Sequence, residues 1–416
     1  MLRQTAFVLM TRRFHSFRRL LRHLIQRLLF VVLFVWDTLN VLSIYSHQSA
    51  ASVHAAPPPR NTKRIYIACQ HWNTEKILRS HWNNALLALV KEFGPEKVFM
   101  AIYESGSYDN TKGALKELDA ALGELNVKRK ITLSNISHKD EITKQPADHG
   151  WIRTPSGRIE LRCILFLADL RNQVLLPLEL LLARPAIDTV LFLNDVVFSP
   201  EDVLKLLDTN NGEYAAACSL DFSNPHSHGH EAVMQTWPYF RSQASRHAVY
   251  FSKPVPVASC WNGMVAMPVE PFLRDNALRF RGISDSLAGS QLVGSECCRI
   301  HSDNPLSATK GVYLNANVRV GYNSTAYQAV HSDNARLSPW QIYEAIWQNR
   351  ILRWTVTPKF KEWIVHNRAR NWRRNGLNHE PGEFCLVNQM QIIMESGWKH
   401  VWQTEFVRTY TNVARK

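Results

Sequence analysis

The first 27 residues contain no acidic side chain, although seven arginines lie among them. These arginines supply half of the formal net charge of +14. An excess of Arg and Lys beside an apolar segment marks the cytosolic side of a membrane protein. Because the remaining sequence has no continuous basic patch, the charge indicates membrane topology and argues against nucleic-acid binding.

Zinc-binding and repeat signatures are also missing from the sequence. No C-x-x-C pair accompanies a matching pair of histidines, which argues against a structural zinc site. No internal repeat and no long low-complexity segment is present. Seven cysteines are an odd number, and we therefore expect one or two disulfides and a leftover thiol. The adjacent Cys297 and Cys298 are not expected to bond to each other.

An apolar segment follows the basic one directly. Residues 28–36 are apolar without a break, and apolar character continues to Ile44, interrupted by Asp37 and Asn40. A spanning helix needs about 20 mostly apolar residues. The length and the flanking charge favour an uncleaved signal-anchor over a cleaved leader or an amphipathic helix.

The sequence therefore predicts a single-pass type II membrane protein of the Golgi or another secretory-pathway membrane. Its four segments are a cytoplasmic basic tail at 1–27, a transmembrane signal-anchor at 28–46, a stem at 47–62 and a lumenal domain at 63–416. The stem is predicted because its alanines and the Pro57-Pro58-Pro59 run cannot build a core. Two sequons, at Asn135 and Asn323, are usable glycosylation acceptors in such a lumenal domain.

Short apolar runs alternate with helical stretches from Lys63 onwards, which predicts an α/β domain built on a mostly parallel sheet. Strands are predicted at 64–69, 98–103, 130–133, 189–195 and 214–218. Helices are predicted at 75–93 and 111–125, after the Ser199 cap and Pro200, and along a buried stretch at 159–182.

Polar residues at the ends of the predicted strands are the first candidates for a site, because ligands bind beyond the carboxyl ends of parallel strands. Asn194 and Asp195 end one strand and are candidate donor-binding residues, and Asp221, three residues past the next strand, is a candidate catalytic carboxylate. A carboxylate that holds Mn²⁺ or Mg²⁺ neutralises a leaving diphosphate, so Asp195 is a candidate donor and metal ligand. Alternatively, Asn194 and Asp195 only cap the turn before the next helix. Glu104 either accepts hydrogen bonds from a base or ribose, or belongs to an ordinary turn.

Further candidates lie elsewhere in the sequence. Arg171 either faces a donor phosphate or pairs with Asp169 or Glu179. Trp261 and Asn262 either form an acceptor wall, since a Trp face stacks on sugar rings, or belong to the core.

Three more side chains have candidate roles near the reacting groups. Glu296 precedes a helical turn and is a candidate to face the reacting hydroxyl. His301 and His331 are either metal ligands or ordinary core and surface groups.

Several of these residues lie in stretches that resemble the cryptococcal-type mannosyltransferases, glycosyltransferase family 69, which include the capsule-associated proteins of fungi. The shared stretches are Y-E-S-G-S at 103–107, L-F-L-N-D-V at 191–196, W-N-G-M-V-A-M-P at 261–268, G-S-E-C-C at 294–298 and F-C-L-V-N at 384–388. The resemblance implies a GT-A-type fold and α-1,3-mannosyl transfer from GDP-mannose to a glycan acceptor.

The sequence departs from the D-x-D metal motif of the GT-A superfamily at Asn194-Asp195-Val196, which offers one carboxylate. The metal then either needs Asp221 or a C-terminal histidine such as His331, or binds weakly. In a retaining front-face reaction, the leaving phosphate takes the acceptor proton, Arg171 and the metal stabilise the diphosphate, and Glu296 positions the acceptor. The missing second carboxylate also leaves an alternative, a non-catalytic polysaccharide assembly or export factor on a degenerate scaffold.

Overall fold

The structure is a computed structural model, and it describes residues 2–51, 63–180, 187–223, 243–251, 253–273, 276–331, 338–355, 358–374 and 378–401. The strands are β1 Ile65–His71, β2 Val98–Glu104, β3 Lys128–Leu133, β4 Trp151–Arg153, β5 Ile159–Leu161, β6 Thr189–Leu193, β7 Ala216–Phe222, β8 Val255–Val257, β9 Met264–Pro268, β10 Val293–Gly294, β11 Val312–Gly321, β12 Leu386–Val387, β13 Gln391–Met394 and β14 Gly397–His400. The α-helices are Leu2–Ala51, Glu75–Ile77, Asn83–Phe93, Thr111–Glu124, His138–Thr143, Cys163–Gln173, Leu176–Leu180, Pro200–Leu207, Gln243–Tyr250, Asp285–Ala288, Glu296–Asp303, Ser307–Lys310, Ser324–His331, Pro339–Thr355 and Pro358–Arg374.

An eight-stranded sheet in the order β3-β2-β1-β6-β9-β7-β11-β8 forms the centre of the domain. Strand β1 pairs in parallel with β2 and β6, and β7 pairs in parallel with β11. Strand β9 is antiparallel to both β6 and β7, and β8 is antiparallel to β11. The predicted mixed, mostly parallel sheet flanked by helices is confirmed.

Two apolar clusters cover the two faces of this sheet. One contains residues of helices Asn83–Phe93, Thr111–Glu124 and Pro200–Leu207, and the other contains residues of helix Cys163–Gln173. Every residue of β6 is buried, as expected for a central strand with both faces covered. Polar groups that directly follow such a strand therefore lie at the edge of the sheet.

The helix predicted at 75–93 is interrupted. It consists of Glu75–Ile77, a π-helical turn at Leu78–Trp82 and Asn83–Phe93. The wider turn buries Trp82, whose indole Nε1 donates to the carbonyl of Asn194 at 3.0 Å. Such π turns often occur at functional sites.

The continuous buried helix predicted at 159–182 is wrong. The stretch begins as strand β5, and helix Cys163–Gln173 starts only after Arg162. The buried Arg162 guanidinium pairs with Asp285 and donates to the carbonyl of Ile283 at 2.9 Å. Residues 174–175 form a turn before Leu176–Leu180, and residues 181–182 lie outside the described part of the chain.

The strand predicted at 214–218 is also shifted. Strand β7 begins at Ala216 and continues to Phe222, so Asp221 is its penultimate residue rather than a loop residue. The register pairs Asp221 with Val320 of β11, which explains why the strand continues.

The N-terminal helix Leu2–Ala51 contains one stretch that is long and apolar enough to cross a membrane. This stretch is Leu21–Ser46, 26 residues with a mean hydropathy of 2.0. Residues 47–51 of the predicted stem are helical, and residues 52–62 lie outside the described part. The division at 27, 46 and 62 stays a prediction.

Two disulfides join distant parts of the domain, Cys218–Cys260 and Cys298–Cys385. Cys297 and Cys298 are not bonded to each other, as predicted. Cys69, Cys163 and Cys297 are free thiols, so the expected single leftover thiol is corrected to three.

Candidate active site

Several polar side chains meet at the carboxyl edge of the sheet. Strands β6, β7 and β11 all end there, while the antiparallel β9 begins there. The four strand ends bring together Asp195, Asp221, Asn262 and Tyr322. This edge is where the sequence placed the site.

Asp221 is held between two neighbours. Its Oδ1 accepts a hydrogen bond from Asn262 Nδ2 at 2.9 Å, and its Oδ2 accepts one from the Tyr322 hydroxyl at 2.8 Å. The loop comes this close because residue 263 is glycine with φ of +68°, and a Cβ there would lie 2.5 Å from Val320 Cγ2. Asp221 and Asn262 are therefore in contact, which sequence spacing did not predict.

Asp195 lies beside this pair and is only partly exposed. Burial raises the pKa of its carboxyl, opposed by a hydrogen bond from its own backbone amide. Burial also raises the pKa of Tyr322, and the charges of Asp221 and Asp195 raise it further. Both carboxylates thus lie close enough to the Tyr322 hydroxyl to act on it electrostatically. Within the described residues, no other residue donates a hydrogen bond to the Asp195 carboxylate.

The turn that carries Asp195 is fixed through its backbone. The Asn194 amide donates to the carbonyl of Gly263 at 2.9 Å, and the Asn194 carbonyl accepts from Trp82 Nε1 and from the amide of Val196. The helix cap predicted at this boundary is formed a few residues later by Ser199 and Asp202, which form a capping box. Asn194 and Asp195 are therefore not needed as caps.

Arg171 and Glu296 form a buried ion pair, with Arg171 Nε 3.1 Å from Glu296 Oε1. The Arg171 guanidinium lies over the Trp261 ring, 4.7 Å from its centroid. The alternative partners considered from sequence are wrong, since Glu179 pairs with Arg279 instead and Asp169 forms no ion pair with Arg171.

Trp261 is partly buried and belongs to an aromatic cluster. Its ring centroid lies 5.2 Å from that of Phe192 and 5.3 Å from that of Phe280. One role of Trp261 in the fold is therefore to support Arg171. The predicted acceptor-binding role of Trp261 and Asn262 stays a prediction.

Glu104 ends β2 and is fully buried, at 0% exposure. Its Oε1 accepts from the Ser107 amide, and its Oε2 lies 3.9 Å from Lys112 Nζ but has no hydrogen-bond partner. The turn requires glycine at position 106, where φ is +71°, because a Cβ there would overlap the carbonyl of Ile136. The turn thus encloses a carboxylate oxygen that accepts no hydrogen bond from the described residues.

The two candidate histidines lie outside this cluster in the described structure. His301 is buried with Nε2 2.6 Å from the Cys260 carbonyl, and burial lowers its pKa to about 4. It approaches Cys218 and Cys260, but those sulfurs are joined in a disulfide and are not metal ligands. His331 lies 3.6 Å from Asp202 and contacts the Tyr327 carbonyl, so its role as a ligand stays a prediction.

Sequence reasoning missed two side chains of the site. The Tyr322 hydroxyl donates to Asp221, and the available signal was the position of Tyr322 directly after strand β11 and before the Asn323 sequon. Cys297 lies with Sγ 3.1 Å from Glu296 Oε1, and burial raises its pKa well above the ordinary value, although the Arg171 charge opposes this.

The fold and the edge cluster define an α/β protein in which acidic and hydrogen-bonding side chains meet at the carboxyl edge of the sheet. Residues 64–303 match the family described as cryptococcal mannosyltransferase 1, which is more than half of the chain. The chain belongs to this family and is a glycosyltransferase. Asp195, Asp221, Arg171, Asn262 and Glu296 all lie within the matched segment. No curated protein sequence matches the chain.

Solved glycosyltransferase structures are similar at low identity. The mannosyltransferase PcManGT from Pyrobaculum calidifontis, in complex with GDP-Man and Mn²⁺, is 11% identical, with 83% of this chain and 84% of that chain covered and a TM-score of 0.40. S. aureus TarS 1–349 in complex with UDP is 11% identical, with 72% and 74% covered and a TM-score of 0.37. GalNAc-T7 with UDP, GalNAc and Mn²⁺ is 10% identical, with 63% and 43% covered and a TM-score of 0.32. Membership of the family rests on the sequence match, not on these structural similarities.

Proposed function

We propose that the protein is a metal-dependent mannosyltransferase that moves mannose from GDP-mannose to a glycan acceptor. The observation that carries the proposal is the joint placement of Asp195 and Asp221 around Tyr322, at the carboxyl edge of a sheet within the segment that matches a mannosyltransferase family. Following the family resemblance, the proposed product linkage is α-1,3 with retention. The proposed role is capsule or cell-wall polysaccharide synthesis in a fungal Golgi.

The Asp195 carboxylate fits a hard divalent cation. It is partly buried, and within the described residues its only hydrogen bond comes from its own amide. Mn²⁺ or Mg²⁺ is commonly bound by one or two carboxylates, with substrate phosphates and waters completing its coordination. Asp221 is already bonded to Asn262 and Tyr322, so we assign Asp195 as the principal ligand and Asp221 as the residue that positions this edge. The metal would neutralise charge on the diphosphate.

Glu104 is proposed to recognise the nucleoside. Its Oε2 is buried without a hydrogen-bond partner, a costly arrangement unless a ligand supplies the donor. The N–H groups of a guanine base or the hydroxyls of a ribose are donors of this kind. The Ser107 amide and Gly106 hold the turn in place, so the oxygen is positioned before the ligand arrives.

Arg171 is proposed to stabilise the diphosphate as the glycosidic bond to it breaks, and Glu296 to position the acceptor. The pairing with Glu296 offsets the cost of burying the Arg171 charge, and packing on Trp261 fixes the guanidinium. In a retaining front-face reaction, the leaving phosphate oxygen takes the proton of the acceptor hydroxyl, so no separate protein base is needed.

The metal assignment is tested by Mn²⁺-dependent sugar transfer from GDP-mannose with purified full-length protein. Asp195→Asn keeps side-chain volume but removes the charge, so we expect turnover to fall by about 10²–10³ with the fold retained. Asp208→Asn, an exposed substitution at the end of helix Pro200–Leu207, is the matched control. If Asp221→Asn abolishes transfer while Asp195→Asn does not, the metal belongs to β7.

The nucleoside assignment is tested by calorimetric titration with GDP. Glu104→Gln replaces one carboxylate oxygen by a donor, so we expect clearly weaker GDP binding with an unchanged thermal transition. Glu117→Gln, an exposed glutamate that pairs with Arg79, is the control. Unchanged GDP affinity in Glu104→Gln would show that the turn is structural.

The alternative, a non-catalytic assembly factor, is tested with the same purified full-length protein. Screening nucleotide sugars for transfer or hydrolysis, with and without Mn²⁺, separates the two. GDP binding without turnover of any donor would favour the assembly factor.

A further inference from the structure

Helix Pro339–Thr355 packs directly on the candidate membrane span. Ile342 and Ile346 of this helix form one buried cluster with Val41 of the N-terminal helix. The rings of Phe34 and Tyr343 approach each other, with centroids 6.1 Å apart. The contact therefore lies inside Leu21–Ser46, the stretch long and apolar enough to cross a bilayer.

The covered face of the span is the one that carries its polar residues. Asp37 is 0% exposed and Thr38 is partly buried, on the same helical face as Val41. The opposite face is apolar and exposed at Trp36 and Leu39. Helix Pro339–Thr355 thus packs on the polar face of the span, which is the face least compatible with lipid.

The exposed side chains of helix Pro339–Thr355 include two large apolar ones, with exposed Glu344 on the same face. Trp340 is 72% exposed and Ile351 is 51% exposed. The rings of Trp340, Tyr343 and Trp347 follow one another along the helix, with centroids 6.2 Å and 6.4 Å apart. Trp and Tyr are enriched where membrane meets water, because their rings are apolar and their edges form hydrogen bonds.

We propose that helix Pro339–Thr355 lies in the lumenal leaflet beside the span and docks the glycosyltransferase domain on the bilayer. The proposal rests on the proposed membrane anchor. Residues 34–44 of the N-terminal helix and the residues packed on them share one depth, so a span at Leu21–Ser46 places Tyr343 and Ile346 at membrane depth too. The exposed Trp340 and Ile351 then contact lipid, and Asp37 is shielded from it.

Photo-crosslinking to lipid tests this proposal with full-length protein in phosphatidylcholine vesicles. A photoactivatable residue replaces Trp340, Ile351, Trp36 or Tyr108 in four separate proteins. Trp36 reports on the span, and Tyr108, a 50% exposed aromatic residue after β2, is the matched control. We expect lipid adducts at positions 36, 340 and 351 and only background at position 108.

The four labelled positions distinguish failure of the docking proposal from failure of the proposed membrane anchor. Lipid adducts at 36 but not at 340 or 351 would overturn the docking proposal and leave the anchor standing. Crosslinks from position 340 to a second copy of the chain, without lipid adducts, would also overturn it and identify a protein interface. Background signal at all four positions would overturn the anchor together with the docking proposal. Because 340 and 351 are tested separately, one misfolded variant does not decide the result.

Discussion

At the scale of single residues, the ion pair between Arg171 and Glu296 keeps two opposite charges together in a largely buried place. Removing one partner of a buried pair leaves the other charge uncompensated, which costs about 3–5 kcal/mol. We expect Arg171→Met to lower the free energy of unfolding by this amount in urea denaturation. The double variant Arg171→Met/Glu296→Gln, which leaves no buried charge, should recover most of the loss. Equal losses in the single and double variants would contradict this account.

Two buried histidines give the protein a pH-dependent stability. Burial lowers the pKa of His71 to about 3 and that of His301 to about 4, against an ordinary value of 6.5. Both rings are neutral in the folded state, so their contribution is fully present above pH 6.5 and is lost as the pH falls towards 4. At pH 5.5 we expect each to cost about 1 kcal/mol relative to pH 7.5.

This acid sensitivity is measured as the shift of the thermal midpoint between pH 7.5 and 5.5. His301→Gln should reduce the shift, whereas His366→Gln, at an exposed position, should leave it unchanged. The same shift in all three proteins would assign the acid sensitivity to other groups.

At the scale of secondary structure, the sequence predicted those elements that depend on contacts between residues near one another in the chain. The all-apolar run at 189–193 predicted β6, and Ser199-Pro200 predicted the next helix, because capping and burial patterns depend on neighbours in sequence. The break between strand β5 and helix Cys163–Gln173 was missed because Arg162, which lies between them, is stabilised by Asp285, more than a hundred residues away, and no local pattern contains that partner.

The Cys298–Cys385 disulfide joins helix Glu296–Asp303 to the segment before β12. It closes a loop of 87 residues, for which chain entropy gives a stabilisation of about 4–5 kcal/mol. We expect dithiothreitol to lower the thermal midpoint of the wild-type protein. In Cys298→Ala/Cys385→Ala the midpoint should already be lower, and the further drop on reduction should be smaller. An equal drop in both proteins would assign the effect to Cys218–Cys260.

At the scale of the whole molecule, the site could be predicted only in part. The residues at strand ends, Asp195 and Glu104, were identified because strand direction decides where they emerge. The contacts of Asp221 with Asn262 and Tyr322 join positions 41 and 101 residues apart, so they depend on the order of strands in the sheet. Sequence patterns do not give that order.

The proposed topology makes a prediction about glycosylation. Both sequon asparagines are exposed, but the Asn323 side chain donates to the Ser223 carbonyl and accepts from the Ala326 amide. We expect Asn135 to be modified and Asn323 to be modified less, in a secretory-pathway expression host. Asn135→Gln should then remove most of the glycosidase-sensitive mobility shift, and Asn323→Gln little of it. Protease accessibility of the domain in intact microsomes would contradict lumenal placement even if neither site is used.

The insertion of β9 between β6 and β7 has a consequence for how the chain folds. Strand β9 pairs with residues far away in sequence on both sides, and β1 pairs with β6 across more than a hundred residues. Pairings of this kind raise the contact order, and a high contact order slows folding, because long loops must close before the contacts form. Cys260 precedes β9 and reaches Cys218 of β7 only when β9 is in its place. Oxidation of this cysteine pair and completion of the Asp221–Asn262 contact are therefore expected to occur at the same late stage of folding.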